Sequence, residues 1–273
     1  MIDTHCHLTF PDFAGRIDEV MSSAARAGVT GAITISTQSQ DAQSALMLAE
    51  SHDAIWCAAG VHPLYADQEP HDWDAIRRVA AHDKCVAFGE LGLDNHHGRP
   101  PRAVQDRVLG YQLAFIESCI ADGIDKPVII HGRKAVEDLL PILRSSTISP
   151  DRFVFHCFTE TPEHARMVLD FGAWISFTAV VTYKNAKEVV EAARLVPDDR
   201  IMVETDAPFL SPEPIRGRRP CEPAYSRYTA QRLAEIRSVP FKAFHEQIDR
   251  NTERFFGIKV PKPAPGALEA VIP

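Results

Sequence analysis

The residues best suited to chemistry come at the start of the chain, where Ile2-Asp3-Thr4-His5-Cys6-His7 sets two histidines one residue apart behind an apolar entry. Side chains alternate faces along a strand, so His5 and His7 point the same way, and two imidazoles on one face can grip one divalent ion. Glu90, His131, His156 and Asp206 each close a short apolar run further along. Taken singly, each has an ordinary structural explanation: a packed or solvated histidine, a turn-capping glutamate, a turn-forming aspartate. Six such groups at strand ends, out of 12 histidines and 37 acidic residues, point instead to one shared site. Four imidazoles and two carboxylates exceed the three protein ligands plus water usual for one catalytic ion, so the count predicts two ions about 3.5–4 Å apart with a shared carboxylate. His52, His71, His82, His164 and His245 fall on helical or polar stretches and receive no role.

These groups need strands to carry them, and the chain supplies eight short β-rich runs, over 2–7, 29–35, 55–60, 85–90, 127–131, 152–156, 173–177 and 200–206. Helical patterns separate them, one closing at Gly28 and another opening at Thr161-Pro162, an N-cap and first-turn pair. Leu91 to Pro101 reads as a polar loop, and two further helices cover 225–237 and 241–256. Strands alternating with helices imply a parallel sheet, and eight of them imply a single α/β domain, a closed (β/α)8 TIM barrel. That barrel is expected over residues 1–258, followed by a loose Pro-rich tail at 259–273. Active sites of such barrels lie at the C-terminal ends of the strands, where all six groups fall.

A formal net charge of -8 argues against broad electrostatic coating of duplex DNA, which requires a basic surface. The dense basic run Arg216-Gly217-Arg218-Arg219 suits either a solvated loop or a phosphate clamp. His62 and Arg133, in loops just beyond strand ends, are candidates to hold phosphate. Asp94 and Glu204 are placed to orient ligands rather than to bind ions. The six cysteines show no C-x-x-C pair and read as reduced, mostly buried thiols. No run is long and apolar enough for a membrane span and no cleavable leader is recognisable, so a cytoplasmic protein with no obligate protein partner is expected.

Asp3-Thr4-His5-Cys6-His7, Gly60-Val61-His62-Pro63, Gly89-Glu90-Leu91-Gly92-Leu93-Asp94, Val128-Ile129-Ile130-His131, His156-Cys157-Phe158, Tyr183-Lys184-Asn185-Ala186 and Glu204-Thr205-Asp206-Ala207-Pro208-Phe209-Leu210 together resemble the TatD family of metal-dependent deoxyribonucleases, within the amidohydrolase superfamily. The resemblance extends through Arg216-Gly217, Glu222-Pro223 and Asn251-Thr252-Glu253-Arg254-Phe255-Phe256. It implies His5, His7, Glu90 and Asp206 around one ion and Glu90, His131 and His156 around the other, with Glu90 bridging. The ions would be Zn2+, Mn2+ or Mg2+. It further implies hydrolysis of DNA phosphodiesters from single-stranded 3′ ends by a water that the ions activate, with Asp206 orienting that water and taking its proton. Asn185 and Arg216 enter as substrate contacts on the resemblance. The loop Asn95-His96-His97-Gly98-Arg99 departs from the aromatic residues relatives carry there, and reads as solvated, with a nucleotide or extra-ion contact by His96 and His97 as the alternative. The same ligands would also serve a small-molecule amidohydrolase, lactonase or phosphoesterase. A non-catalytic metal-binding scaffold is disfavoured by the intact ligand set.

Overall fold

A computed structural model describes residues 1–268 of the 273. Among them, eight parallel strands lie in one sheet in sequence order: β1 (Ile2–Cys6), β2 (Gly31–Ile35), β3 (Ile55–Ala59), β4 (Cys85–Asp94), β5 (Val128–Arg133), β6 (Phe153–Phe155), β7 (Trp174–Phe177) and β8 (Ile201–Val203). Helices α1 (Ile17–Arg26), α2 (Ser39–Ser51), α3 (Trp73–Ala80), α4 (Arg102–Ala121), α5 (Val136–Arg144), α6 (Pro162–Phe171) and α7 (Lys187–Leu195) join successive strands, and α8 (Ser226–Ile236) and α9 (Phe241–Phe256) follow the last. The sequence signals operate as read. Thr161 caps α6 by accepting from the His164 amide, with Pro162 in its first turn, and Gly28 takes φ +78° just past α1.

The sheet rolls into a nearly closed TIM barrel. β8 meets β1 through a single bridge, Cys6 with Ala207, reinforced by the His7 amide on the Ala207 carbonyl at 2.7 Å. Below that bridge Asp3 ties the seam, accepting from the Thr205 amide at 2.9 Å and hydrogen-bonded to its hydroxyl at 2.5 Å. Burial pushes the Asp3 carboxyl up to about 8, against the pull of those two bonds.

Two apolar layers hold the barrel. The larger lies between strands and helices and includes Phe88, Ile130, Phe153, Phe155 and Phe177. The smaller fills the barrel floor with Ile2, Ile33, Ile35, Ile129, Val154, Trp174 and Met202, and Phe255 and Phe256 of α9 close it from beneath. Inward positions recur every second residue, so the strands that bury Ile129, Val154 and Met202 at the floor present His131, His156 and Glu204 one step higher.

Three expectations change. β4 does not stop at Glu90 but continues to Asp94, because Leu91 to Asp94 pair residue by residue with Ile130 to Arg133. β8 ends at Val203, so Asp206 stands on the following loop with φ +62°, its amide held by the His5 carbonyl at 2.9 Å. The stretch expected to be a loose tail is anchored as far as Leu268: Thr30 donates to the Pro261 carbonyl at 2.7 Å, Arg227 donates to the carbonyls of Ala267, at 2.8 Å, and Leu268, and Ala267 is buried. Residues 269–273 of that expected tail lie outside the described part.

Candidate metal centre

His5, His7, Glu90, His131, His156 and Asp206 converge at the C-terminal mouth. His5 Nε2 and His7 Nε2 each lie 3.6 Å from Glu90 Oε1, and 3.7 and 3.4 Å from Asp206 Oδ1. Donor atoms about 2.0–2.1 Å from a tetrahedral ion stand about 3.3–3.4 Å apart, so these four atoms frame a space the size of one divalent cation. The other oxygen, Glu90 Oε2, lies 2.8 Å from His156 Nε2 and 3.4 Å from His131 Nδ1, and those two nitrogens are 3.3 Å apart. One carboxylate thus turns an oxygen toward each of two imidazole pairs.

The outer ring nitrogens of His7 and His131 are held from outside. His7 Nδ1 is 3.1 Å from the Ile35 carbonyl, and His131 Nε2 is 3.2 Å from Asp94 Oδ2, so each ring donates outward and turns a bare nitrogen inward. His156 Nδ1 faces Glu204 Oε1 at 3.4 Å, and Glu204 is fixed by the Ser176 hydroxyl and the Cys157 amide, both at 2.6 Å. His62 is oriented in the opposite sense. Its Nδ1 accepts from the Leu64 amide at 3.0 Å, so Nε2 carries the proton and presents an N–H 3.2 Å from His131 Nδ1 and 3.8 Å from Glu90 Oε2. Backbone geometry sets these distances: at Gly92, φ +149°, a Cβ would stand 1.9 Å from the His131 carbonyl, so only glycine lets β4 approach β5 this closely.

Both ring nitrogens of His5, Glu90 Oε2 and His156 Nδ1 are buried without a well-formed hydrogen bond. Orphaned buried polar atoms cost about 1–3 kcal/mol each, and the inward-facing ones, His5 Nε2 and Glu90 Oε2, belong to the donor set a divalent cation satisfies. The charges agree with this. Burial favours a protonated Glu90, yet His62, His156 and His5 overcome it and hold the carboxylate well below its usual range. Asp206 is likewise lowered against burial, chiefly by His7. Burial also works against charge on His131 and His156, but Asp94 and Glu90 raise the first, and Glu90 and Glu204 raise the second further. Burial dominates at His62, which it pushes down to about 3 against Glu90.

The centre floors a cavity of about 600 Å³. Arg133 and Arg219 line it, and neither guanidinium has a hydrogen-bond or ion-pair partner among the described residues. Phe10, Leu64, Tyr65 and Phe209 supply an apolar part of the wall. Two expected contacts lie elsewhere. Arg216 stacks on Tyr183, 3.9 Å from the ring centroid, and pairs with Glu213, while Asn185 is exposed in the turn before α7; neither lines the cavity. The Arg216 run bends so that Arg219, three residues on, takes the mouth position, and the run itself was the only signal in the sequence for it. His97, read as solvated, is half tethered: its Nδ1 lies 2.9 Å from the Asp94 oxygen that holds His131, and its ring lines the cavity.

The family described as TatD related DNase matches residues 2–257. An uncharacterized metal-dependent hydrolase, YabD of Bacillus subtilis (strain 168), is 35% identical over 259 residues, covering 94% of this chain and 99% of that protein. The protein named 3′-5′ ssDNA/RNA exonuclease TatD of Pantoea ananatis (strain LMG 20103) is 33% identical over 264 residues, covering 94% of this chain and all of that one. Among solved structures, YjjV, a TatD homologue from Escherichia coli K12, superposes with a TM-score of 0.85 at 28% identity, covering 94% of this chain and 98% of that chain.

Proposed function

The chain belongs to the TatD family of metal-dependent hydrolases, and from that footing we propose that it hydrolyses phosphodiester bonds of nucleic acid, as a 3′-5′ exonuclease acting on single-stranded ends. The observation that carries the reading is the division of Glu90, with Oε1 among His5, His7 and Asp206 and Oε2 between His131 and His156. In this reading the two sets hold two divalent ions with Glu90 shared, and imidazole-rich ligation favours Zn2+ or Mn2+ over Mg2+. Bound there, such ions supply Lewis acidity toward a phosphoryl oxygen and lower the pKa of water.

The remaining roles fall to the chain's own groups. Asp206 is the more accessible of the two carboxylates, with 17% of its side chain exposed against 3% for Glu90, so it orients the attacking water and takes its proton. His62 stays neutral and donates from Nε2, which suits it to hydrogen-bond a phosphoryl oxygen as charge builds there. Arg133 and Arg219, unpaired at the rim, hold phosphates of the strand, the place expected of Arg216 passing to Arg219. Asp94 and Glu204 keep His131 and His156 in their working tautomers. The protein recruits phosphate through this local constellation despite its net charge of -8.

The test is cleavage of 5′-labelled single-stranded DNA and RNA with Mg2+, Mn2+ or Zn2+, beside a panel of lactones and dihydropyrimidines. A ladder shortening from the 3′ end, absent in Glu90→Ala and Asp206→Asn, is the expected result. Turnover of the small cyclic substrates with intact oligonucleotides would replace this reading with the small-molecule one, and full nuclease activity in both variants would expose a contaminant.

A further inference from the structure

Among the described residues five large apolar side chains are strongly exposed, Met47, Tyr111, Leu195, Phe209 and Val239, and of these Phe209 alone lines the cavity over the metal centre. Single apolar residues on a surface are ordinary. A phenyl ring left 42% exposed beside a buried polar centre is different, because water is displaced from it only when something flat and apolar enters the mouth.

The ring is also fixed in place. Phe209 follows Asp206 by three residues, its amide donates to the Asp206 carbonyl at 2.9 Å, and the neighbouring Pro208 carbonyl accepts from the Cys221 amide at 3.0 Å. Behind it stands Phe10, from the loop after β1, edge to face with a centroid separation of 6.1 Å. Phe10 in turn lies on the His7 ring at 4.9 Å and 23°. An aromatic corner is thus built directly on a residue of the centre, over β1 and the loop after β8. Arg133 projects from the end of β5, four strands round the barrel from β1, and Arg219 comes from the same loop as Phe209, so the aromatic corner and cationic groups flank one centre. A nucleotide has the matching pair, a flat π face and an anionic phosphate; a lactone or an aliphatic phosphoester would leave one of the two unused.

We infer that Phe209, backed by Phe10, is a stacking platform for the terminal base of a single-stranded nucleic acid whose phosphate lies over the centre. This rests on the nuclease reading and adds a base-recognition site to it. A phenyl ring meets a π face and reads no hydrogen-bonding edge, so the site takes all bases and rejects a terminus that has none.

The test measures 3′-end cleavage of single-stranded DNA ending in a normal or an abasic nucleotide, by the wild-type protein, Phe209→Ala and Phe209→Trp, with methyl p-nitrophenyl phosphate as a reporter of wild-type phosphodiesterase activity. Phe209→Ala should raise KM for the normal substrate about tenfold, within the span of a lost base stack, while kcat changes far less. The abasic terminus should cost the wild-type protein a similar factor and Phe209→Ala almost nothing more, and Phe209→Trp should restore a low KM. Equal losses on both substrates, or an unchanged KM in a Phe209→Ala protein that still cleaves, would overturn the platform and leave the nuclease reading standing. A wild-type protein that hydrolyses the reporter but no oligonucleotide would remove the nuclease reading, and the platform with it.

Discussion

The floor and the mouth of this barrel are built from the same strands, one inward position apart, and they obey opposite rules. At the floor Ile129, Val154 and Met202 meet Trp174, Phe255 and Phe256 in an apolar layer whose one side-chain N–H, on Trp174, donates to the Asp151 carbonyl at 3.0 Å. At the mouth His131, His156 and Glu204 occupy the next inward places, and His5, Glu90 and His156 keep buried atoms without hydrogen bonds. The period of two that makes a strand amphipathic is thus used along the barrel axis, with stability concentrated at one end and reactivity at the other. Buried polar groups forgo stability, and they persist here because the surrounding β-ladders and the floor over-determine their positions.

That division is most sharply tested at Glu90. Glu90→Gln should lower kcat/KM on the order of a thousandfold, because a neutral amide no longer serves both ion sites and the Lewis acidity supplied there is lost, while thermal unfolding shifts by only a few degrees. An equally inactive but largely unfolded variant would break the comparison. Phe255→Ala should do the reverse: its ring packs 5.2 Å from Trp174, and its removal from the floor should cost about 3–5 kcal/mol, read in urea unfolding, while the protein that remains folded keeps its metal content and turnover. Asp94→Asn lies between the two. It preserves shape but loosens the hold on His131 Nε2, and should weaken metal affinity about 10–100-fold with little change in unfolding midpoint. The smallest expected effect is a gradient with pH. His131 and His156 have raised pKa values before metal enters, so over the range where they titrate the inward nitrogen, bare in the neutral ring, takes up a proton that an ion must displace; affinity should therefore climb as pH rises through that range and fall as it drops. Calorimetry in buffers of different ionisation enthalpy should register proton release on binding, and proton uptake would contradict the assignment.

The barrel was legible because its signals are local: each strand is a short β-rich run between helix caps such as Thr161 and Gly28, and repetition alone implies closure. The six groups at the mouth were legible because they sit at fixed places in those runs. What escaped depends on pairing between distant segments. Leu91 to Asp94 look like a polar turn until β5 lies beside them, and Asp206 looks like the end of a strand until the seam with β1 bends its backbone to φ +62°. Arg216 and Arg219 are indistinguishable in a run of arginines, and only the fold of their loop, with Tyr183 under Arg216, decides which one reaches the mouth. The anchored segment to Leu268 was invisible for the same reason, since its partners Thr30 and Arg227 lie far away in sequence.

The single bridge between Cys6 and Ala207 has one more consequence. His5 and His7 emerge from the ribosome first, Glu90, His131 and His156 follow, and Asp206 completes the six only at position 206, so a chain still being translated owns most of the donors but not the whole centre. Assembly of the centre therefore waits on the closing of the seam.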